Sequence, residues 1–273
     1  MKVSVCNLRE NDFREKFIHS IIDTGFAVIT HHGIDKGLIK DAQDGWRQFF
    51  LSPKSHKNIW INKDDPNMGY KAFEKEKAVG SQLADLKEFY HWQPGKEIPG
   101  EVYSVTQKMF FLLEDVSSQL LSVIDSHSQR NGFYRNACQN SDNTIIRTLY
   151  YPALNFKEKN GAVRAAAHED INFITLLVAA SSAGLEVKDV NGNWHNVPHE
   201  ENSIVMNIGD MLQLASKGLY KSTTHRVSNP ENSTQDRISM PLFVHPHGET
   251  LLAENFTAKQ YLDQRLKEIY LKG

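Results

Sequence analysis

Apolar residues recur every three or four positions through much of the first half of the chain, and this spacing predicts helices there. A first helix is predicted to end at Gly25, and a buried strand follows it at 26–30. A long apolar stripe after residue 104 predicts a bracing helix, and a shorter one predicts a final helix near the end of the chain. The residues that fit helix N-caps are Asn11 or Asp12, Asp35, Ser104 and Thr257.

From residue 144 the pattern changes to short apolar or alternating runs separated by turn signals such as Asn191-Gly192. The predicted helices come first along the chain, a run of predicted strands follows them, and one more predicted helix comes last. This order predicts a mainly β protein with flanking helices, built as a sandwich or jelly roll in one structural unit. The predicted strands are 144–151, 167–178, 184–188, 203–208, 221–227 and 237–245.

Composition excludes several classes of protein. The chain has 273 residues, of which 40% are hydrophobic and 23% charged, so a folded globular protein is expected. The formal net charge is −2 and there is no run of Lys or Arg, so we expect neither a nucleic-acid partner nor a membrane partner. Cys6 and Cys138 are far apart and in no metal-binding spacing, which predicts reduced thiols in a cytoplasmic protein. Oligomeric state is not readable from the sequence.

His168 and Asp170 stand two positions apart in the predicted strand 167–178, so their side chains are expected on one face. Such a pair can bind one metal ion, and His225 offers a third ligand. Two His and one carboxylate suit a non-haem iron(II) site. A surface His–Asp pair or a zinc hydrolase remains an alternative reading. The zinc motif His-Glu-x-x-His is absent, because Asn172 stands where its second His would be.

A possible anion site lies downstream of these ligands. Arg237 and Ser239 share a strand face and offer a forked cation and a hydroxyl, which suit a carboxylate. Tyr151 could add a third hydrogen bond. The charges of iron(II), Asp170, a bound 2-oxoglutarate and Arg237 would cancel, which avoids burying an uncompensated charge. A surface salt bridge for Arg237 is the simpler reading.

A pocket for the second substrate is also predicted. Arg147 and Leu149 share the face of Tyr151, and Arg164 lies just before the metal-binding pair. An aromatic lid is predicted from Tyr70, Phe73 and Phe89, although aromatic residues at such spacings are more often core. The segment His245-Pro246-His247 is read as a solvated loop, not as a second metal site.

The chain resembles the isopenicillin N synthase-like branch of the 2-oxoglutarate- and Fe(II)-dependent dioxygenases. The resemblance extends over nearly the whole chain, and its segments occur in the family's order. They are Gly25 to Ile34, Gly69-Tyr70, Asp85 to Glu88, Arg147 to Pro152, His168 to Asp170, Gly184 to Val187, Asn193 to Val197, Met206 to Leu212, Ser222 to Val227 and Arg237 to Ser239.

The resemblance implies a double-stranded β-helix (jelly-roll, cupin-like) core over 144–248. Residues 1–100 form an N-terminal region packed on that core, 101–143 a bracing helix and loop, and 249–273 a C-terminal helix. The implied iron ligands are His168, Asp170 and His225, and the implied residues for the distal carboxylate of 2-oxoglutarate are Arg237, Ser239 and Tyr151. The implied cofactors are Fe(2+), 2-oxoglutarate and O2, with ascorbate as a stimulant.

The reaction implied by the resemblance is oxidation of a small molecule coupled to decarboxylation of 2-oxoglutarate to succinate. Two other activities are compatible with the same fold: an iron oxidase that does not use 2-oxoglutarate, and a non-catalytic binding or sensing protein. Leu149 departs from the family pattern, in which many members have Asn at that position, so no particular substrate can be carried over.

Overall fold

The computed structural model describes residues 1–72, 87–153, 164–178, 184–228 and 236–272. Its helices are α1 (Phe13–Thr24), α2 (Lys36–Leu51), α3 (Lys54–Asn58), α4 (Gly100–Ser128), α5 (Phe133–Cys138), α6 (Asp210–Ala215) and α7 (Ala258–Lys272). The first ten strands are β1 (Val5–Asn7), β2 (Phe26–Thr30), β3 (Gly69–Lys71), β4 (Glu88–Trp92), β5 (Ile145–Tyr151), β6 (Ala165–His168), β7 (Ile174–Val178), β8 (Leu185–Lys188), β9 (Trp194–Asn196) and β10 (Ile204–Ile208). The last four are β11 (His225–Val227), β12 (Arg237–Val244), β13 (Leu251–Ala253) and β14 (Phe256–Thr257).

Two sheets form the body of the molecule. The main sheet has eight strands in the order β1-β2-β10-β7-β12-β5-β4-β3, and the minor sheet has four in the order β6-β11-β8-β9. Every pairing within them is antiparallel except β1 with β2. The predicted mainly β fold with flanking helices and a jelly-roll core is confirmed.

Strand alternation divides the main sheet into an inner face, which carries the site described below, and an outer face covered by helices. Side chains of the outer face join the helices in one large apolar cluster. Its strand members include Ala27, Ile29, Tyr90, Ile146, Tyr150, Leu176, Ile204, Met206, Met240 and Leu242. Burial of this face supplies the hydrophobic stabilisation of the fold.

The N-terminal region supplies β1 to β4, which are half of the main sheet. Residues 1–100 therefore extend the sheet of the core by hydrogen bonding, in addition to packing against it. Val28 of β2 pairs with Val205 of β10, and Phe89 of β4 pairs with Leu149 of β5. The boundary predicted at residue 100 does not divide separate sheets.

Most predicted strands agree with the structure to within one residue, and two differ. The predicted strand 167–178 is two strands, because the chain leaves the sheets after His168 and re-enters them at Ile174. The predicted strand 221–227 contains regular pairing only from His225 onward. The short helices α3, α5 and α6 and the short strands β1, β3, β9, β13 and β14 were not predicted.

Three of the predicted helix ends follow the capping rules, at Gly25, Asp35 and Thr257, whereas the Asp12 side chain makes no capping hydrogen bond. Gly25 adopts a left-handed conformation at the end of α1, and Asp35 caps α2 by accepting a hydrogen bond from the backbone N–H of Leu38. The long helix α4 begins at Gly100, one turn before the predicted start at Ser104. Among the described helices, none combines the length and apolar character that crossing a membrane requires.

Candidate metal centre

The three predicted metal ligands meet between the two sheets. His168 ends β6 and His225 begins β11, and the two residues are direct cross-strand partners with ring centroids 4.4 Å apart. Asp170 lies in the loop after β6. The prediction that His168 and Asp170 share one strand is therefore wrong. Oδ1 of Asp170 nevertheless lies 3.7 Å from Nε2 of His168 and 3.9 Å from Nε2 of His225. All three ligand atoms are within 4.8 Å of one another.

Backbone carbonyls orient both imidazole rings. Nδ1 of His168 donates to the carbonyl of Ala166 at 2.8 Å, and Nδ1 of His225 donates to that of Thr223 at 3.1 Å. These bonds place the ring proton on Nδ1 and leave the Nε2 lone pair of each ring facing Asp170. Burial lowers the pKa of His168 to about 4, with a smaller contribution from His225, so His168 is neutral near pH 7. A neutral ring is the form that binds a metal.

Asp170 is held by its second carboxylate oxygen. Its Oδ2 accepts from Thr175 Oγ1 at 2.5 Å and from Asn207 Nδ2 at 2.8 Å. Asn172 in turn donates to Thr175 Oγ1 at 2.9 Å. Because Oδ2 is occupied in this way, Oδ1 is the oxygen presented to a metal.

These contacts also keep Asp170 ionised. Burial is the largest influence on its pKa and raises it, but His225 and His168 and the hydrogen bonds from Asn207 and Thr175 outweigh burial. The pKa of Asp170 is therefore lowered from its usual value. The carboxylate of Asp170 is therefore ionised and can bind a cation.

The turn after β10 fixes the loop that carries Asp170. The backbone N–H of Gly209 donates to the carbonyl of Phe173 at 2.9 Å, and that of Asp210 donates to the carbonyl of Asp170 at 2.7 Å. A Cβ at Gly209 would clash with the backbone of Asn172. Only glycine permits this close approach of the two segments.

The donor set fits iron(II). Two imidazole nitrogens and one carboxylate oxygen converge from one side, which is the facial arrangement of non-haem iron(II) oxygenases. Metal–ligand bonds of about 2 Å let one ion reach two donors that lie less than 4 Å apart. The oriented rings and the anchored carboxylate supply the outer shell that such a site needs.

Arg237, Ser239 and Tyr151 come together on the inner face, as their strand positions predict. Arg237 of β12 pairs with Tyr151 of β5, and Ser239 pairs with Leu149. All three proposed carboxylate-binding residues are buried, and Cζ of Arg237 lies 5.2 Å from the centroid of the Tyr151 ring. Arg237 is 1% exposed, so the simple surface salt bridge considered from the sequence does not describe it.

The predicted substrate residues separate into three groups. Arg147, Leu149 and Phe89 lie on the inner face, where Phe89 and Leu149 form a small cluster with Tyr151. Arg164 is 1% exposed and its Cζ lies 5.9 Å from the Tyr151 ring, beside Arg237 and not at a solvated edge. The third group is Tyr70.

Tyr70 faces the opposite side of the sheet from the triad. It pairs with Tyr90, whose side chain belongs to the helix-covered cluster, and its ring packs 6.0 Å from that of Phe49. Its hydroxyl donates to Glu88, which also forms a buried ion pair with Lys57 at 2.7 Å. Strand parity therefore makes Tyr70 a core residue and corrects its placement in a lid. Phe73 lies outside the described residues.

Several residues of the site were missed in the sequence analysis. Thr175 and Asn207 hold the metal carboxylate, and they are direct partners across β7 and β10. Their polar side chains interrupt otherwise apolar strands. This interruption is the feature of the sequence that could have identified them as residues of the site. His245 was read as solvated, but burial lowers its pKa to about 4, with smaller effects from Asp170 and Arg147.

Known proteins match this chain along most of its length. Residues 142–246 match the model of the 2OG-Fe(II) oxygenase superfamily, and residues 4–109 match that of the "non-haem dioxygenase in morphine synthesis N-terminal" family. A protein described as an oxygenase from Shewanella oneidensis has a similar crystal structure. It is 38% identical, with a TM-score of 0.87 over 99% of this chain and all of that one. The chain belongs to the 2OG-Fe(II) oxygenase superfamily.

Other members of the superfamily are more distant but nearly as complete. A full-length Neurospora crassa protein, solved in complex with alpha-KG, is 26% identical with a TM-score of 0.81, over 96% of this chain and 95% of that one. Proline hydroxylase buaE of Petromyces alliaceus is 27% identical over 96% of this chain and 95% of its own length. Scopoletin 8-hydroxylase of Arabidopsis thaliana is 26% identical over 88% and 68%.

Membership of the superfamily and the geometry of the triad together define the enzyme. It is an Fe(II)- and 2-oxoglutarate-dependent oxidoreductase, and His168, Asp170 and His225 are positioned to bind its iron. The readings as a zinc hydrolase, an iron oxidase without 2-oxoglutarate or a non-catalytic sensor are set aside.

Proposed function

We propose that this oxygenase hydroxylates a C–H bond of a small organic molecule. In each turnover one oxygen atom of O2 enters the new hydroxyl group, and the other enters the succinate formed when 2-oxoglutarate loses CO2. The observation that carries the proposal is the convergence of two oriented Nε2 atoms and the Oδ1 of Asp170 within 4.8 Å. Hydroxylases among the relatives support the choice of hydroxylation over other oxidations.

Arg237, Ser239 and Tyr151 are proposed to bind the distal carboxylate of 2-oxoglutarate. A guanidinium and two hydroxyl groups provide directional donors that match the two oxygens of a carboxylate. All three are buried on the inner face, where the low dielectric strengthens a charge-assisted hydrogen bond. Burial lowers the pKa of Arg237, which means that a bound anion would stabilise its charged form.

We assign Arg164 to this end of the site and not to the second substrate. The guanidinium groups of Arg164 and Arg237 flank one tyrosine, at 5.9 and 5.2 Å from the Tyr151 ring centroid. Burial lowers the pKa of Arg164, and the positive charge of Arg237 lowers it further by a smaller amount. The two guanidinium groups therefore repel each other. A dicarboxylate bound here would reduce that repulsion.

Each residue of the triad region has a proposed task that the contacts support. Iron(II), when bound, supplies the open coordination positions at which 2-oxoglutarate and O2 can react. Thr175 and Asn207 hold Asp170 in the orientation in which Oδ1 faces the ion. The carbonyls of Ala166 and Thr223 keep both imidazoles in the metal-binding tautomer. Together they pre-organise the ligands before iron arrives.

We further propose a cytoplasmic location. Cys6 and Cys138 are both buried and free, and burial raises the pKa of Cys6 to about 11 and that of Cys138 well above its usual value. Such thiols are protonated and unreactive, as in proteins that fold in a reducing compartment.

The experiment is anaerobic titration of the protein with Fe(II) and then 2-oxoglutarate, followed by a succinate assay with a substrate panel. We expect a weak visible charge-transfer band. His225→Ala should abolish the band and reduce bound iron by more than tenfold, whereas Arg237→Ala should retain iron and weaken 2-oxoglutarate binding. His195→Ala is the matched control, because His195 pairs with Asp189 at 2.7 Å and takes no part in the triad.

An absent band in the unaltered protein, together with no 2-oxoglutarate binding by calorimetry, would contradict the proposal. Iron retained in full by the His225→Ala protein would contradict the ligand assignment alone.

A further inference from the structure

A further arginine of the inner face, Arg147, is half-buried and lies between two aromatic rings. Its Cζ lies 4.7 Å from the centroid of Phe89 and 5.2 Å from that of Phe243. Cation–π contacts of this kind hold a guanidinium in place while keeping it charged. Lys87 packs against the same Phe89 ring, with its Nζ 5.9 Å from the centroid. Two cationic side chains therefore surround one ring of the inner face.

His91 orients Arg147. Nδ1 of His91 lies 2.6 Å from the carbonyl oxygen of Asn67 and donates to it, so the proton of the neutral ring is on Nδ1. The Nε2 lone pair then accepts from Nε of Arg147. His91 is buried, and its ring also contacts Phe89 at 4.9 Å. A neutral ring directs this guanidinium without cancelling its charge.

Arg147 lies at the metal end of the inner face. Phe243, on which it packs, is the cross-strand partner of Thr175, and Thr175 holds the metal ligand Asp170.

The proposed 2-oxoglutarate carboxylate site is at the other end of the same strands. Tyr151 is four residues beyond Arg147 on β5, which is about 13 Å along a strand. Arg237 packs against Tyr151, whereas Arg147 is held by Phe89 and Phe243. Each arginine thus lies at its own end of the face, and Arg147 lies at the end where Phe243 pairs with Thr175.

We infer that Arg147, oriented by His91, binds an anionic group of the second substrate, so that the enzyme acts on an organic acid carrying a carboxylate or a phosphate. This inference rests on the proposed function, because it assigns the remaining space beside the iron to the molecule that is oxidised. A guanidinium held in a fixed orientation suits both anions. The rings of Phe89 and Phe243 provide apolar surface for the carbon skeleton next to it.

The test measures binding by calorimetry to the anaerobic Fe(II)–2-oxoglutarate protein and turnover by succinate release. The probes are 3-phenylpropanoate, cinnamate, octanoate and phenyl phosphate, each compared with its neutral analogue: the three methyl esters and phenol. We expect at least one anion to bind ten or more times more tightly than its analogue. Preference for phenyl phosphate over the carboxylates would identify phosphate as the group, and the reverse would identify carboxylate.

Variants separate recognition of the anion from the rest of the chemistry. Arg147→Met should remove the preference for the anion and raise its KM at least tenfold, with 2-oxoglutarate binding unchanged. His91→Phe keeps a ring but loses the acceptor, so it should raise KM more than it lowers kcat. His91→Gln places a carbonyl oxygen near the position of Nε2 and should recover part of the affinity. This recovery distinguishes a positioning residue from a merely structural one.

Arg130→Met is the matched control, because Arg130 also packs on two rings, Phe133 at 5.8 Å and Tyr134 at 5.9 Å, on the helix side of the molecule. It should leave the preference for the anion unchanged. If the charge-transfer band forms but anions bind no better than their neutral analogues, the inference is overturned and the proposed function stands. An unchanged preference in folded Arg147→Met and His91→Phe proteins would also overturn it. Loss of the band itself in the unaltered protein would overturn the proposed function instead.

Discussion

Alternate residues of the same strands meet two different environments in the main sheet. On the outer face, residues such as Leu242, Leu176 and Tyr150 pack with the helices in one apolar cluster. On the inner face, their immediate neighbours include buried polar residues, among them Arg237, Ser239, Thr175, Asn207 and His91. Burial of polar groups costs free energy unless they are hydrogen-bonded or paired. The outer face thus stabilises the fold, and the inner face uses part of that stability to hold reactive groups in place.

A buried polar cluster on the outer face shows how the two faces differ. Lys57, Glu88 and Tyr70 form a buried cluster in which the ammonium and the hydroxyl both donate to the carboxylate. This cluster is satisfied within itself. The polar residues of the inner face include instead those that hold the metal ligand Asp170 and those proposed to bind 2-oxoglutarate.

The largest effect expected from this comparison is on stability. Leu242→Ala on the outer face should lower the free energy of unfolding by about 2–5 kcal/mol, because it leaves a cavity in a closely packed layer. Ser239 lies on the inner face of the same strand. Ser239→Ala should change the free energy of unfolding by less than about 1 kcal/mol but weaken 2-oxoglutarate binding. Urea denaturation of both proteins measures the difference. Equal destabilisation by the two changes would remove the distinction between the faces.

A smaller effect is expected on metal affinity. Thr175→Val keeps the shape of a buried side chain and removes the hydroxyl that donates to Asp170 Oδ2. Loss of an outer-shell hydrogen bond should weaken iron binding about 10- to 100-fold. Anaerobic Fe(II) titration measures it, with the melting temperature as a check on folding. Thr106→Val is a suitable control, since Thr106 is buried in α4 and bonds to Trp46 at 2.9 Å. Iron affinity unchanged in Thr175→Val would show that Asn207 alone holds the carboxylate.

The last effect expected is a pH dependence of stability that arises on the inner face and is confined to acid pH. Burial lowers the pKa of His245 to about 4, below the value of about 6.5 for an unfolded histidine. The unfolded chain therefore binds more protons between these values, so stability is lost as pH falls from about 6.5 to about 4 and is unaffected above that window. In metal-free protein, His245→Gln should flatten this part of the profile of melting temperature against pH. A profile with an unchanged slope would show that His245 does not contribute.

Strand parity allowed much of the site to be predicted from the sequence, because a period of two fixes which residues share a face. It placed Arg147, Leu149 and Tyr151 together and brought Arg237 to the same side as Ser239. It failed at 167–178, where an apolar run conceals a loop that carries Asp170. The hydrogen bonds that form this loop come from Gly209 and Asp210, about 40 residues further on in the chain. No local pattern encodes such a contact.

Tyr70 shows a different limit of sequence reasoning. An aromatic residue near a predicted strand is compatible with either face until its register with a neighbour is known. The pairing of Tyr70 with Tyr90 settles the face, and this register depends on tertiary structure. Likewise, His91 and Asn67 were ordinary polar residues until their contacts with Arg147 were visible.

The pairing of β2 with β10 has a consequence for how the protein reaches its native state. Val28 is made early in synthesis, but its partner Val205 leaves the ribosome only after most of the chain. Until then the apolar strand Phe26–Thr30 has no antiparallel neighbour, and such unpaired segments are exposed to aggregation. Non-local pairing of this kind slows folding. The iron-binding centre likewise assembles only after His225 has been synthesised, because His225 pairs with His168 across β6 and β11.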